Sequence, residues 1–181
     1  MKISLIMNII LNKKILILIF VILISCGGSN NGDDPTPQPP PTDFQILILS
    51  LVNDARAQSR NCGGTFFSAA PAVNWDERIE SAALGHSLDM AQNENFSHTG
   101  TDGSNGGDRL LMEGYDWNTW GENILVGLDD ATDAIEGWID SPGHCSVIMN
   151  SSVEEVAAGV AQGRFEGGGA SYWTLLFATE N

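Results

Sequence analysis

Residues 155–179 read EVAAGVAQGRFEGGGASYWTLLFAT. In the first part Val156, Ala158 and Val160 alternate, with Gly and Ala between them. Glu166-Gly167-Gly168-Gly169 follows, and glycine readily takes the positive φ that a tight hairpin turn demands. Tyr172 to Thr179 is then a dense apolar run. The stretch predicts two strands, 155–164 and 172–179, joined as an antiparallel hairpin. A third strand is predicted over 119–126, with Trp120, Glu122, Ile124 and Val126 on one face.

Upstream the apolar spacing changes from two to that of a helix. Phe44, Leu47, Ile48, Leu51, Val52 and Ala55 predict a first helix ending near Ser59, with Asp43 as its N-cap. Residues 60–74 contain Cys62-Gly63-Gly64 and Pro71 and read as loop. A second helix is expected from Asp76 to Asn93, with Ile79, Ala82, Ala83, His86 and Met90 on one face. Residues 97–107 read as a long polar loop, and Arg109 to Glu113 as a turn or two of helix. Asp129 or Asp130 caps another helix, with Ala131, Ala134, Ile135 and Trp138 as its stripe and Pro142-Gly143 as its stop. Helices gathered early and strands late argue an α+β fold, a small antiparallel sheet covered by helices.

Before the folded part lies GGSNNGDDPTPQPPPT (27–42), without an apolar anchor. Its composition predicts a disordered linker over 26–42, stiffened by prolines at its end. The domain is expected to span 43–181. Ahead of the linker, Lys13 and Lys14 precede the apolar run Ile15–Ile24, which ends in Leu23-Ile24-Ser25-Cys26. A basic flank, an apolar core of about ten residues and a small residue before the cut predict a secretory signal over 1–25. The run is too short to span a membrane, which takes roughly 20 apolar residues. LISC also resembles the lipobox of bacterial lipoproteins. That resemblance implies a diacylated Cys26 and a protein held by lipid to the cell envelope, outside the cytoplasm. Met7 serves as well as Met1 for a start.

All three Lys of the chain precede Cys26. Residues 26–181 keep five Arg against twenty-three acidic residues, a side-chain charge of −18. Such a surface repels nucleic acid, so no nucleic-acid partner is expected. With lipid on Cys26, Cys62 and Cys145 remain, and two thiols in an oxidising compartment most often pair. Zinc is the competing use, weakened by the lack of a Cys-x-x-Cys pair.

The series LVNDARAQ (51–58), NWDERIESAALGHSLDMAQ (74–92), FSHTGTDG (96–103), WGENILVG (120–127), WIDSPGHC (138–145) and YWTLLFA (172–178) resembles a bacterial member of the CAP superfamily. That superfamily includes cysteine-rich secretory proteins, venom allergens and pathogenesis-related proteins. The resemblance covers about residues 44–180 and implies a three-layer α-β-α sandwich with a cleft over the sheet. It also implies a cleft tetrad of two His and two Glu able to bind a divalent cation. Matched by motif, His98, Glu122 and His144 supply three members. The place of the second Glu, counted from Trp138, falls on Ser141, with Asp140 beside it. A Cys62–Cys145 bridge like that of similar bacterial sequences would hold the His144 loop to the end of the first helix.

Two imidazoles and a carboxylate suit a divalent cation such as zinc and leave a position open for water. The same residues also read as a hydrogen-bonded cluster that orders the cleft, since a partly buried Glu122 needs a partner. His86 reads as a satisfied core histidine lying outside that group. No nucleophile-elbow motif surrounds Ser141, so serine catalysis through Ser141, His144 and Glu122 is not expected. Trp117 and Tyr115 are candidates for the cleft rim. The expected function is a monomeric, non-enzymatic binding module for a cation, a small ligand, or an envelope or host protein. A metal-dependent hydrolase or peptidase using His98, Glu122 and His144 is the alternative, and a scaffold with a vestigial cleft is a third.

Overall fold

The computed structural model describes residues 42–181. The predicted signal, Cys26 and nearly all of the linker lie outside the described residues. The elements run in chain order α1 (Asp43–Arg56), β1 (Arg60–Cys62), β2 (Thr65–Phe67), β3 (Asn74–Trp75), α2 (Glu77–Asn93) and α3 (Gly106–Met112). They continue as β4 (Trp117–Val126), α4 (Ala131–Asp140), α5 (Pro142–Ile148), β5 (Glu155–Phe165) and β6 (Gly168–Glu180).

The hairpin forms as expected. β5 and β6 pair antiparallel from Glu155↔Ala178 to Phe165↔Gly168. Glu166 and Gly167 make the turn, both with positive φ (50° and 86°), the backbone of a tight hairpin turn. β4 pairs antiparallel with the other side of β6, and the two-residue β3 runs parallel to β5. The main sheet therefore has the order β3-β5-β6-β4.

Helices cover both faces. On one, α1, α4 and α5 enclose Ile48, Val52, Ile135, Trp138 and Ile148 against Trp173, Leu175 and Phe177. On the other, α2 and α3 bring Ile79, Ala83 and Leu110 against Ala157 and Leu176. This is a three-layer α-β-α sandwich within the α+β class. Gly159 explains how closely α2 approaches: a Cβ there would stand 2.3 Å from the Leu84 Cα. The Ser87 hydroxyl uses that proximity to donate to the Gly159 carbonyl at 3.0 Å.

Four local readings are corrected. Thr42, not Asp43, caps α1, in a capping box with Gln45 whose two bonds span 2.7 and 3.2 Å. Residues 60–74 are not all loop, since β1 and β2 form a small hairpin there and β3 joins the main sheet. α3 begins at Gly106, where the Asn105 side chain accepts from the Asp108 amide at 3.0 Å. Pro142 ends α4 but also starts α5, because proline suits the first turn of a helix, where its missing N–H has no partner to lose.

A disulfide joins Cys62 to Cys145 across 83 residues, with Cα atoms 5.6 Å apart. It ties the β1–β2 hairpin to α5. Among the described residues, no helix is long and apolar enough to cross a membrane.

Candidate functional site

Gly121, Glu122 and Asn123 follow one another on β4 and do three different things. Gly121 lies beneath α5, where a Cβ would stand 3.0 Å from Val147 Cγ1. Asn123 points to that same side and donates through Nδ2 to the His144 carbonyl at 3.1 Å. Between them Glu122 points to the opposite face, because successive side chains of a strand alternate. The motif thus seats the first turn of α5, which carries His144, beside the strand that carries Glu122.

The Glu122 side chain is 2 % exposed, and both its oxygens are engaged. Oε1 lies 2.8 Å from His98 Nδ1. Oε2 accepts from an Arg109 terminal nitrogen at 2.6 Å. Burial alone would raise the pKa of this carboxyl. The His98 hydrogen bond and the Arg109 charge outweigh it and hold the group below its ordinary value. Arg109 also donates to the Ser104 carbonyl at 2.9 Å and to the His98 carbonyl at 3.3 Å. It therefore fixes the 98–104 loop to β4 as well as neutralising Glu122. Gly106 opens the space, since a Cβ there would come within 2.7 Å of Trp120 and 3.3 Å of Glu122 Oε2.

His98 has its ring 58 % exposed. With Nδ1 directed at Glu122, Nε2 is the nitrogen left for a ligand. His144 is half-buried, and its pKa is lowered first by burial and then by the nearby His98. The structure thus joins His98 and Glu122 by a hydrogen bond and brings the His144 ring within electrostatic range of His98. Ser141 sits in the α4–α5 junction, where its side chain caps neither helix, and Asp140 is exposed.

Two residues escaped the sequence reading. Arg109 is the partner that a buried Glu122 demands. It is the one arginine between His98 and Glu122 in the chain, which was the available signal. His86 is buried in the core as expected, but it is neither satisfied nor remote. Neither ring nitrogen completes a hydrogen bond, although the Ser97 backbone is near enough to bias its titration. Burial lowers its pKa, and the charges of Glu122 and Arg109 act on it in opposite directions. It lines a cavity of about 250 Å³ with Gly85, Asp89, Gly100 and Arg109. Tyr115 is corrected too: it is fully buried and donates its hydroxyl to Glu155, so it does not line a rim. Trp117 is half-buried, its indole held by the Gly107 carbonyl at 2.9 Å.

A divalent cation fits this arrangement poorly. The carboxylate that would be its third ligand is spent on His98 and Arg109, which leaves two imidazoles. Among the described residues no group of three His, Cys, Asp or Glu side chains is set to hold a metal ion.

The structure is a three-layer sandwich in which Glu122, on the edge strand β4, pairs with His98 of the loop between α2 and α3. The chain belongs to the cysteine-rich secretory protein family, whose profile matches residues 49–177. It is similar to an extracellular protein containing a SCP domain from Bacillus anthracis str. Ames, with 26 % identity and a TM-score of 0.59. That match covers 79 % of this chain and 45 % of the other. In fold it also resembles an outer surface protein of Borrelia burgdorferi, at 15 % identity and a TM-score of 0.58, covering 75 % of this chain and 91 % of that one. An uncharacterized membrane protein, YlbC, of Bacillus subtilis (strain 168) is 36 % identical over 88 residues, 49 % of this chain and 25 % of that protein. This chain thus spans about a quarter of the YlbC length and under half of the anthracis protein.

Proposed function

We propose that this protein is an extracytoplasmic binding module, held to the cell envelope by lipid on Cys26, whose cleft presents His98 and His144 to a ligand without hydrolysing it. One observation carries this reading. Glu122 has both oxygens committed, to His98 and to Arg109. A general base must accept a proton from substrate or water, and a third zinc ligand must offer a lone pair. Glu122 is ionised, as both roles require, but its side chain is 2 % exposed and each oxygen is already hydrogen-bonded, so neither substrate nor a cation reaches it without displacing His98 or Arg109. What Glu122 does supply is orientation: it fixes the His98 ring with Nε2 outward.

The anchor rests on the LISC run and its basic flank. The relatives named extracellular, outer surface and membrane proteins agree with an address at the envelope. A divalent cation remains a weak ligand for the two imidazoles. The test is calorimetric zinc titration of the full mature chain and of His98→Ala/His144→Ala, alongside a protease assay with zinc present. The expected result is weak uptake that the double variant abolishes, with no turnover. Zinc-dependent hydrolysis lost in the double variant would overturn the reading in favour of a metallohydrolase.

A further inference from the structure

We infer that the free edge of β4 is a docking site for an extended, basic peptide, which adds to the sheet as a fifth strand beside the cleft. This rests on the binding-module reading and names the partner of that same site.

The direction of the β4 backbone is fixed by three separate contacts. Glu154 donates to the Ala178 carbonyl at 3.1 Å, so the polar groups of Ala178 face β5. Ala178 is the register partner of Trp120, whose N–H and C=O therefore point away from β6. The Ile124 carbonyl accepts from the Trp138 indole at 3.1 Å, again on the side away from β6. Gly127 donates to the Ser171 carbonyl of β6 at 3.1 Å, so the alternate set faces inward. Trp120, Glu122 and Ile124 thus present their backbone groups to an edge beyond which the sheet has no strand among the described residues.

α4 covers this edge at Ile124 through Trp138. A register irregularity between Trp117 and Thr119 blunts it at the other end. Between the two, Trp120 and Glu122 have no backbone partner on the open side among the described residues. The stretch left open is short, and residues 119–124 contain no Lys or Pro to guard it. Beside this stretch lies a groove of about 370 Å³ lined by Phe67, Trp120, Val147 and Met149. Backbone pairing with pockets for alternate side chains is the recognition mode in which a peptide joins a sheet edge.

Charge selects the occupant. Residues 26–181 carry −18 and no Lys. Arg56, Arg78 and Arg109 are committed to internal partners. Glu113 and Asp116 stand exposed just ahead of β4. A peptide alternating basic and apolar residues meets both the acidic approach and the apolar groove. A second copy of this chain would bring −18 against −18 and is disfavoured.

The probe is an octapeptide alternating Lys and Val, titrated into the isotope-labelled full mature chain in neutral detergent micelles. Expected are amide shifts and slowed hydrogen exchange at Trp120 and Glu122, with Gly121 and Asn123 unchanged because they already pair with β6. Methylating the peptide nitrogens of alternate residues keeps its charge and removes one row of donors. One of the two methylated registers should bind about tenfold more weakly, the loss of one or two hydrogen bonds. A Glu/Val octapeptide should not bind. Equal binding of every methylated form, self-association of the chain through the same amides, or no protection at Trp120 and Glu122 would each overturn the proposal. Cleavage of the peptide with those amides protected would support strand pairing and overturn the non-hydrolytic reading, so the two fail separately.

Discussion

Arg56 and Arg109 are both buried, and they lie on opposite faces of one sheet. Arg56 projects from α1 into the layer with α4 and α5. It donates to four carbonyls, those of Pro71 (2.8 Å), Ile148 (2.6 Å), Asn150 (2.9 Å) and Val153 (3.4 Å). Burial lowers its pKa. Arg109 projects from α3 and spends its charge on Glu122. The first arginine gathers carbonyls from the end of α5 and from the irregular backbone around Pro71, Asn150 and Val153. The second neutralises a buried carboxylate that opens to solvent through His98. On the α1 face a buried charge makes structure. On the α2 face it makes a site.

Replacing Arg56 should have the largest effect. Arg56→Met leaves four buried or half-buried acceptors unpaired, at about 1–3 kcal/mol each. A loss of about 5 kcal/mol is expected from denaturant midpoints. The His98 ring resonances followed by NMR should not move. If they do, the two faces are coupled and the contrast fails.

Arg109→Met should cost less, about 3 kcal/mol, near the lower end for breaking a buried pair because His98 still holds Oε1. Here the His98 ring resonances should shift, and the Glu122 pKa should rise as burial is left with less opposing charge. Adding Glu122→Leu should restore much of the stability, since it removes the uncompensated charge. A double variant no more stable than the single one would show that Arg109 works mainly by tying down the 98–104 loop.

Gly159→Ala asks how tightly α2 must sit for the second face to form. The new Cβ would meet Leu84 backbone at 2.3 Å, so the helix must lift. About 2 kcal/mol is expected, as for other overpacked cores. Hydrogen exchange should speed up in α2 and stay unchanged in α1.

Much of this contrast was legible in the residues, and the parts that were not have physical causes. β5, β6 and α2 were readable because long elements repeat their period, and because glycine marks the turn between the two strands. β1, β2 and β3 are two or three residues long, too short to show alternation. α5 was hidden by Pro142, which reads as a stop although proline also begins helices. His98, Glu122 and His144 came from motif resemblance, and spacing alone would not have chosen them. Arg109 was visible as a residue but not as a partner, because only the fold decides which carboxylate an arginine on a short helix reaches. The reverse happened with His86: its helical phase gave its burial correctly and concealed the charges it faces.

His86 gives the smallest effect and the sharpest separation of the two faces. It is surrounded by Asp89 on its own helix, Glu122 on β4, Arg109 on α3 and the Ser97 backbone. Its folded pKa lies below the ordinary value, chiefly through burial. The unfolded chain therefore binds the proton first as pH falls. Stability from this group is complete above the unfolded value of about 6.5 and declines as pH drops below it. The depressed Glu122 acts lower, losing its contribution only as pH falls below about 4.3. Denaturant midpoints taken from about pH 7 down to about pH 5 should thus fall before any carboxylate titrates. His86→Phe, with no ionisable nitrogen, should flatten part of that slope. His144 shares the sign because burial lowers its pKa too, so His144→Phe should remove a separate part. If His86→Phe leaves the slope intact while His144→Phe abolishes it, the buried histidine does not titrate with folding, and the polar character of the α2 face reduces to Glu122, Arg109 and His98.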